Sequence, residues 1–127
     1  MILLLDTTIL IDTLRHRHGR RELLTQVVQD GHTLATTAIN LAEVYAGMRA
    51  SEEGKTEVFL SALECYSITA ADARRAGRMK RISAQKGRTL ALDDLLIAAV
   101  AIEHHLTLMT DNLKDFSLQE LTLYPLP

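Results

Sequence analysis

The sequence predicts an α/β domain: a parallel sheet of about four to five strands flanked by helices in a three-layer α/β/α arrangement. Three observations predict it. Short apolar runs alternate along the chain with longer segments of helical spacing, the pattern of strand–helix–strand units. The first run, Ile2 to Leu5, is continuously apolar rather than alternating, as a strand covered on both faces requires. The 127 residues, 47% hydrophobic and 24% charged, suit one domain with one core, and no repeat, linker or low-complexity stretch divides them. A single domain over residues 1–127 is expected.

Taken in order, Ile2 to Leu5 is a strand ended by Asp6. Thr7 or Thr8 suits the N-cap of a helix whose apolar face runs from Ile9 to Leu14. His16 to Gly19 connects it to a helix from Arg20 to Gln29, with apolar residues at 23, 24, 27 and 28 and Gly31 as terminator. Thr33 to Thr36 is a second strand and Thr37 to Met48 a helix. Glu52 to Leu63 is amphipathic, with Val58, Phe59, Leu60 and Leu63 expected inward. Tyr66 to Ile68 is a third strand. Thr69 and Asp72 resemble a capping box opening a long helix to about Gln85, broken by Lys86, Gly87 and Arg88. Asp93 or Asp94 caps an apolar helix from Leu95 to His105. Leu106 to Met109 is a fourth strand, Thr110 to Phe116 a loop, and Leu121 to Tyr124 an edge strand.

Composition excludes several classes. One cysteine, Cys65, forms no intramolecular disulfide, which excludes a stapled secreted scaffold and fits a reducing cytoplasm. The N-terminus lacks a positive segment, and Asp6 interrupts its apolar run; Leu95 to Ile102 is about half of a membrane span. No membrane association and a cytoplasmic location are expected. A net charge of −2 argues against binding nucleic acid through bulk charge, leaving a local basic patch.

Ligands of parallel α/β sheets bind beyond the carboxyl ends of the strands. Asp6 follows the first strand, Asp94 with Asp93 opens the helix before the last main strand, and Asp115 lies in the loop after that strand, near Asp111 and Asn112. Glu43 lies in the helix after the second strand, on a face otherwise apolar or small. Each has a plainer explanation: Asp6 and Asp94 as N-caps, Asp111 and Asp115 as turn residues, Glu43 as a surface residue at the edge of its face. Brought into one pocket, however, they would repel one another and raise each other's pKa, a conflict that a divalent cation resolves. All-oxygen ligands suit Mg²⁺ or Mn²⁺ rather than zinc, and the five histidines lack zinc spacing.

At these residues the chain resembles a PIN domain of the VapC-type toxin class of toxin–antitoxin pairs. LLLDTTILID resembles the opening strand and first catalytic Asp, and TTAINLAEVYAG the helix bearing the catalytic Glu. DDLLIAAVA matches the D-x-L-I-A-A element, selecting Asp94 over Asp93; LMTDNLKDF matches the closing T-x-N-x-x-D-F element, selecting Thr110, Asn112 and Asp115. The four elements fall in family order across residues 2 to 116. Thr8 stands where the family often has Asn, and Asp93 and Asp111 are additional acids.

The resemblance implies a metal-dependent endoribonuclease that cleaves tRNA or rRNA, is blocked by a cognate antitoxin and forms a homodimer. Asp6 and Asp94 would hold Mg²⁺ or Mn²⁺ directly, and Glu43 and Asp115 would complete the shell through water or a second ion. Glu43 would orient or deprotonate the attacking water. Thr7, Thr8 and Thr110 would orient carboxylates through their hydroxyls.

An acidic pocket repels RNA, so binding must come from elsewhere. Eleven of the 14 lysines and arginines fall in two short segments, Arg15 to Arg21 and Arg74 to Arg88. Arg74, Arg78 and Arg81 recur at helical spacing, with Arg75 beside them, and form either a phosphate-tracking stripe or a solvated face. With 4% aromatic residues, recognition by RNA shape and backbone is favoured over base stacking. Rival readings fare worse. A haloacid-dehalogenase-like phosphatase wants an Asp at position 8, which is Thr8, and a receiver domain wants a Lys ending the last main strand. No P-loop or dinucleotide glycine motif occurs. A catalytically inactive PIN-like module that binds RNA or protein remains the alternative from another class.

Overall fold

The computed structural model describes residues 1–114, 116 and 120–127. Five strands, β1 (Ile2–Leu5), β2 (Thr33–Thr37), β3 (Glu64–Tyr66), β4 (Thr107–Met109) and β5 (Thr122–Leu123), form one sheet in the order β3-β2-β1-β4-β5. Every neighbouring pair is parallel. Six helices connect them: α1 (Thr7–Leu14), α2 (Arg20–Gln29), α3 (Ala38–Gly47), α4 (Glu53–Ser61), α5 (Ala70–Gln85) and α6 (Leu92–Glu103). The expected parallel α/β/α architecture is the one observed.

β1 is the central strand because it is the most completely apolar. Successive side chains of a strand point to opposite faces. Leu3 and Leu5 enter a core with Ile9, Leu10, Leu24, Val27, Val44 and Leu60. Leu4 enters the opposite core with Ala35, Ile97, Val100, Leu108 and Phe116. α1, α2 and α4 therefore cover one face and α6 the other. α5 lies outside α6, joined to it through Ala76, Leu90, Leu95 and Ala99.

Several boundaries differ from expectation. Asp6, rather than Thr7 or Thr8, caps α1: its carboxylate accepts from the Thr7 N–H at 2.9 Å. The third strand is Glu64–Tyr66, two residues earlier than its apolar content predicts, because its register is set by pairing with β2. α6 starts at Leu92 with Ala91 as N-cap, so Asp93 and Asp94 occupy the first turn instead of the cap. A 3-10 turn, Ala50–Glu52, precedes α4, and Val58 is 73% exposed rather than inward. The Thr69–Asp72 capping box forms as expected.

Candidate active site

The strand order reverses direction between β1 and β4, since β1 leads to β2 on one side and β4 and β5 lie on the other. Such a switch point opens a crevice at the carboxyl ends of the strands. Asp6 sits at the mouth of it. Its backbone N–H donates to Met109 O at 3.0 Å, tying the ends of β1 and β4 together. Its side chain is 6% exposed. One carboxylate oxygen accepts from the Thr7 N–H, and the other accepts from the Thr110 hydroxyl at 2.8 Å. Thr110 is itself fixed, because its Oγ1 accepts from the Asn112 N–H at 3.0 Å.

Two donors and a helix N-terminus ordinarily pull a carboxyl below its usual pKa. Asp6 is nevertheless pushed up. Burial is the largest cause; the Thr110 and Thr7 hydrogen bonds oppose it, and the charges of Asp111 and Asp93 add to it. A carboxylate present only to cap α1 has no reason to be surrounded by other acids.

Glu43 reaches the same place from α3. The Thr7 hydroxyl donates to Glu43 Oε1 at 2.8 Å and accepts from Asn40 Nδ2 at 3.0 Å. Asn40, fully buried, is fixed by Thr37, whose hydroxyl donates to Asn40 Oδ1 at 2.7 Å within the capping box of α3. The chain Thr37–Asn40–Thr7–Glu43 thus links the end of β2, the start of α3 and the start of α1. Glu43 is also pushed up: chiefly by burial, against the Thr7 hydrogen bond, and further by a hydrogen-bonding contact with Asp93 and the charges of Asp93 and Asp6.

The structure brings Asp6, Glu43, Asp93, Asp111, Thr7 and Thr110 into one electrostatic neighbourhood. The charge of Asp93, which the sequence motif ranked below Asp94, bears on both Asp6 and Glu43. Asp94 is half-buried in the same first turn of α6, its N–H donating to Asp93 Oδ1 at 3.0 Å. Thr8 is exposed. Asp115 lies outside the described residues.

The donor set fits a hard divalent cation. Its ligating atoms are carboxylate and hydroxyl oxygens, and its two most buried carboxylates are destabilised as anions. Among the described residues no three ligating side chains are gathered tightly enough to hold an ion by themselves. Mg²⁺ does not require that, since it keeps several waters and is held through one or two carboxylates.

Basic residues are placed unequally. Arg74, Arg75 and Arg78 gather beside Ile102, Glu103 and His105 around a shallow cavity at the C-terminal end of α6. Asp93 and Asp94 lie at that helix's other end, some ~15 Å away at 1.5 Å rise per residue. Those three arginines stand apart from the acids, but α5 runs back toward them: Lys80 Nζ donates to Leu90 O at 2.7 Å, just before α6. Arg81 is exposed further along α5. Arg20, at the first position of α2, is nearer: its Nη2 lies 3.9 Å from Asp111 Oδ2. Sequence reasoning did not single out Arg20, one of four arginines between positions 15 and 21, or Asn40. The signal for Asn40 was its position three residues after Thr37, where a capping box puts its second member.

The other notable concavity is an apolar groove of about 960 Å³ between α2 and α4. Leu24, Val28, Val58 and Phe59 line it, with Arg21 and Lys55 at its edge. No helix among the described residues is long and apolar enough to cross a membrane.

Comparison with known proteins gives the family. The sequence pattern of the PIN domain matches residues 3–118. Ribonuclease VapC19 of Mycobacterium tuberculosis is 35% identical over 113 residues, covering 89% of this chain and 90% of the relative. A crystal structure of VapBC2 from Rickettsia felis, bound to a DNA fragment from its promoter, superposes with a TM-score of 0.84 at 30% identity, covering 98% of each chain. A toxin–antitoxin complex from Klebsiella pneumoniae superposes with a TM-score of 0.77 at 28% identity, covering 94% of this chain and 95% of that one. With its acids at the sheet's switch point and these likenesses along nearly its whole length, the chain belongs to the PIN domain family, among the VapC ribonucleases.

Proposed function

We propose that this protein is a Mg²⁺- or Mn²⁺-dependent endoribonuclease, the toxin of a toxin–antitoxin pair, acting on structured RNA. The observation that carries the reading is Asp6: a carboxylate at the sheet's switch point, held by two donors yet pushed up chiefly by its burial and further by the charges of Asp111 and Asp93. Asp6 and Asp94 would hold the ion, with Asp93 as a further acid whose charge acts on Glu43 and Asp115 as the ligand the family motif supplies. A bound divalent ion supplies acidified water and relief of charge building on the phosphorane-like transition state.

This chain's own residues do the rest. Thr110 and the Thr7 N–H fix both oxygens of Asp6, so its carboxylate is oriented before any ion arrives. Thr7 holds Glu43 Oε1 and so orients the carboxylate that would take the proton of the water attacking phosphorus. The upward shift of Glu43 brings its basicity closer to the working pH, where a general base is most effective. The apolar groove between α2 and α4 is the surface we assign to the antitoxin, its basic edge favouring an amphipathic segment with acidic flanks. Exposed, unpaired Cys65 supports a reducing cytoplasm as its place of work.

The test is cleavage of total cellular RNA by purified, antitoxin-free protein with Mg²⁺ or Mn²⁺, against EDTA and against Asp6→Asn. Discrete fragments that require both metal and Asp6 are expected. Equal cleavage by Asp6→Asn would overturn the assignment. No cleavage by a folded preparation on any RNA pool would return the chain to an inactive binding module.

A further inference from the structure

We propose that Arg20 is a substrate-binding residue of the acid cluster, a clamp for one backbone phosphate of the bound RNA. The inference rests on the ribonuclease reading and adds the group that offsets the cluster's repulsion of RNA.

Arg20 is placed where local stability does not want it. It is the first residue of α2, and a cation at a helix N-terminus opposes the helix dipole. Its side chain is only 12% exposed, so its charge is largely withdrawn from water. What it receives in return is small. The contact to Asp111 is 3.9 Å, an ion pair too long for a hydrogen bond. Its Nε is buried with no hydrogen-bond partner. A guanidinium has five N–H donors in a fixed fork, and a buried donor left unmade costs free energy. The buried Nε is closed to solvent, so what Arg20 presents outward is its Nη pair, whose one ion-pair contact, to Asp111, is long.

Its position says what they are for. Asp111 follows Thr110, the residue that hydrogen-bonds Asp6, and the charge of Asp111 is felt at Asp6. Arg20 therefore stands at the rim of the acid cluster. The Arg20 N–H donates to Arg17 O at 3.2 Å, which fixes its backbone to the preceding loop. The ligand that matches a planar, pre-positioned guanidinium beside a cation-binding site is a phosphodiester oxygen pair, bound in a two-pronged contact. Arg74, Arg75 and Arg78, at the far end of α6, do not serve the same phosphate.

The experiment is steady-state cleavage of a defined RNA by the wild type, Arg20→Ala, Arg20→Lys, and Arg20→Ala combined with Asp111→Asn. It is joined to RNA binding at several salt concentrations in the non-cleaving Asp6→Asn background. Thermal unfolding of each variant reports the fold. Arg20→Ala is expected to raise KM tenfold or more with kcat changed less than about threefold, the signature of lost uniform binding. The salt slope of binding should fall by about 0.7–1, one phosphate contact. Arg20→Lys should recover part of the affinity, and adding Asp111→Asn should leave KM well above the wild-type value and the salt slope still reduced.

If Arg20 merely neutralises Asp111, the double variant regains the wild-type KM and the proposal is wrong. An unchanged KM or salt slope in folded Arg20→Ala also overturns it. Failure of the wild type to cleave any RNA would instead remove the ribonuclease reading beneath it, so the two failures are distinct.

Discussion

Thr7 shows how much of the site hangs on one hydroxyl. A hydroxyl has one proton to give and two lone pairs to offer. Thr7 gives its proton to Glu43 and accepts from Asn40, so it joins the acid of α3 to the buried amide that anchors α3. Thr7→Val keeps the shape and removes both bonds. The two orphaned partners should cost about 1–3 kcal/mol of stability, read by denaturant unfolding. The Thr7 bond also holds the Glu43 pKa down against burial. Losing it moves that pKa further up, and a general base must be deprotonated to act, so the acid limb of the kcat/KM profile should move to higher pH. Thr7→Ser should restore it; an unmoved limb would remove Glu43 from the role of base. Asp6 and Glu43 were legible in the sequence because a carboxylate beside or within an apolar run is costly without a reason. Asn40 and Arg20 were not, since an amide after Thr37 and one arginine among four look like ordinary capping and ordinary surface.

At the scale of elements, two helices with the same kind of cap separate stability from chemistry. α3 and α5 both open with a threonine capping box, Thr37 with Asn40 and Thr69 with Asp72. Loss of such a cap costs about 0.5–2 kcal/mol. Thr69→Ala should pay that in thermal stability and leave cleavage unchanged, because α5 lies outside α6. Thr37→Ala should lose stability to a similar degree and also lower kcat, because it releases Asn40 and through it Thr7 and Glu43. The pair of α1 and the 3-10 turn before α4 gives a pH prediction. The hydrogen bonds and charge of Arg15 hold Glu52 down to about 2. A depressed folded pKa contributes stability that is present above the unfolded value of 4.5 and lost as pH falls through about 2. Glu52→Gln should therefore be less acid-sensitive than wild type between those two values, in unfolding curves taken across that range. Element types were legible from periodicity, while boundaries were less so. Asp at an N-cap and Asp in a first turn answer the same helix dipole, so the sequence does not distinguish a start at Leu92 from one at Leu95. β3, two of its three residues exposed, takes its register from β2, and nothing in its own sequence specifies that.

At the scale of the molecule, the fold gathers negative charge at one point and the site's energetics follow from that. A parallel sheet whose order reverses beside β1 places the ends of two strands and the starts of α1, α3 and α6 around one crevice. Asp6, Glu43 and Asp93 converge there from residues far apart in sequence, which is why motif order, rather than any local pattern, made the cluster legible. Such a cluster opposes folding in the absence of a cation. The folded state holds the Asp6 proton more tightly than the unfolded chain does, so ionised Asp6 works against the fold at every pH above its raised pKa. Asp6→Asn should therefore unfold at a higher temperature than wild type when both are metal-free at neutral pH. A ligand of the native state adds RT ln(1 + [L]/Kd), about 2.7 kcal/mol at a hundredfold excess over Kd. Mn²⁺ titrated at that excess should raise the wild-type Tm by the corresponding amount, reversibly with EDTA, and shift Asp6→Asn little, so that metal reverses the order of the two stabilities. Equal shifts in both proteins would place the ion away from Asp6. A wild type that gains nothing from Mn²⁺ would mean that the crowding of its acids is relieved by protons alone, and the metal-dependent chemistry assigned to the crevice would have to be given up.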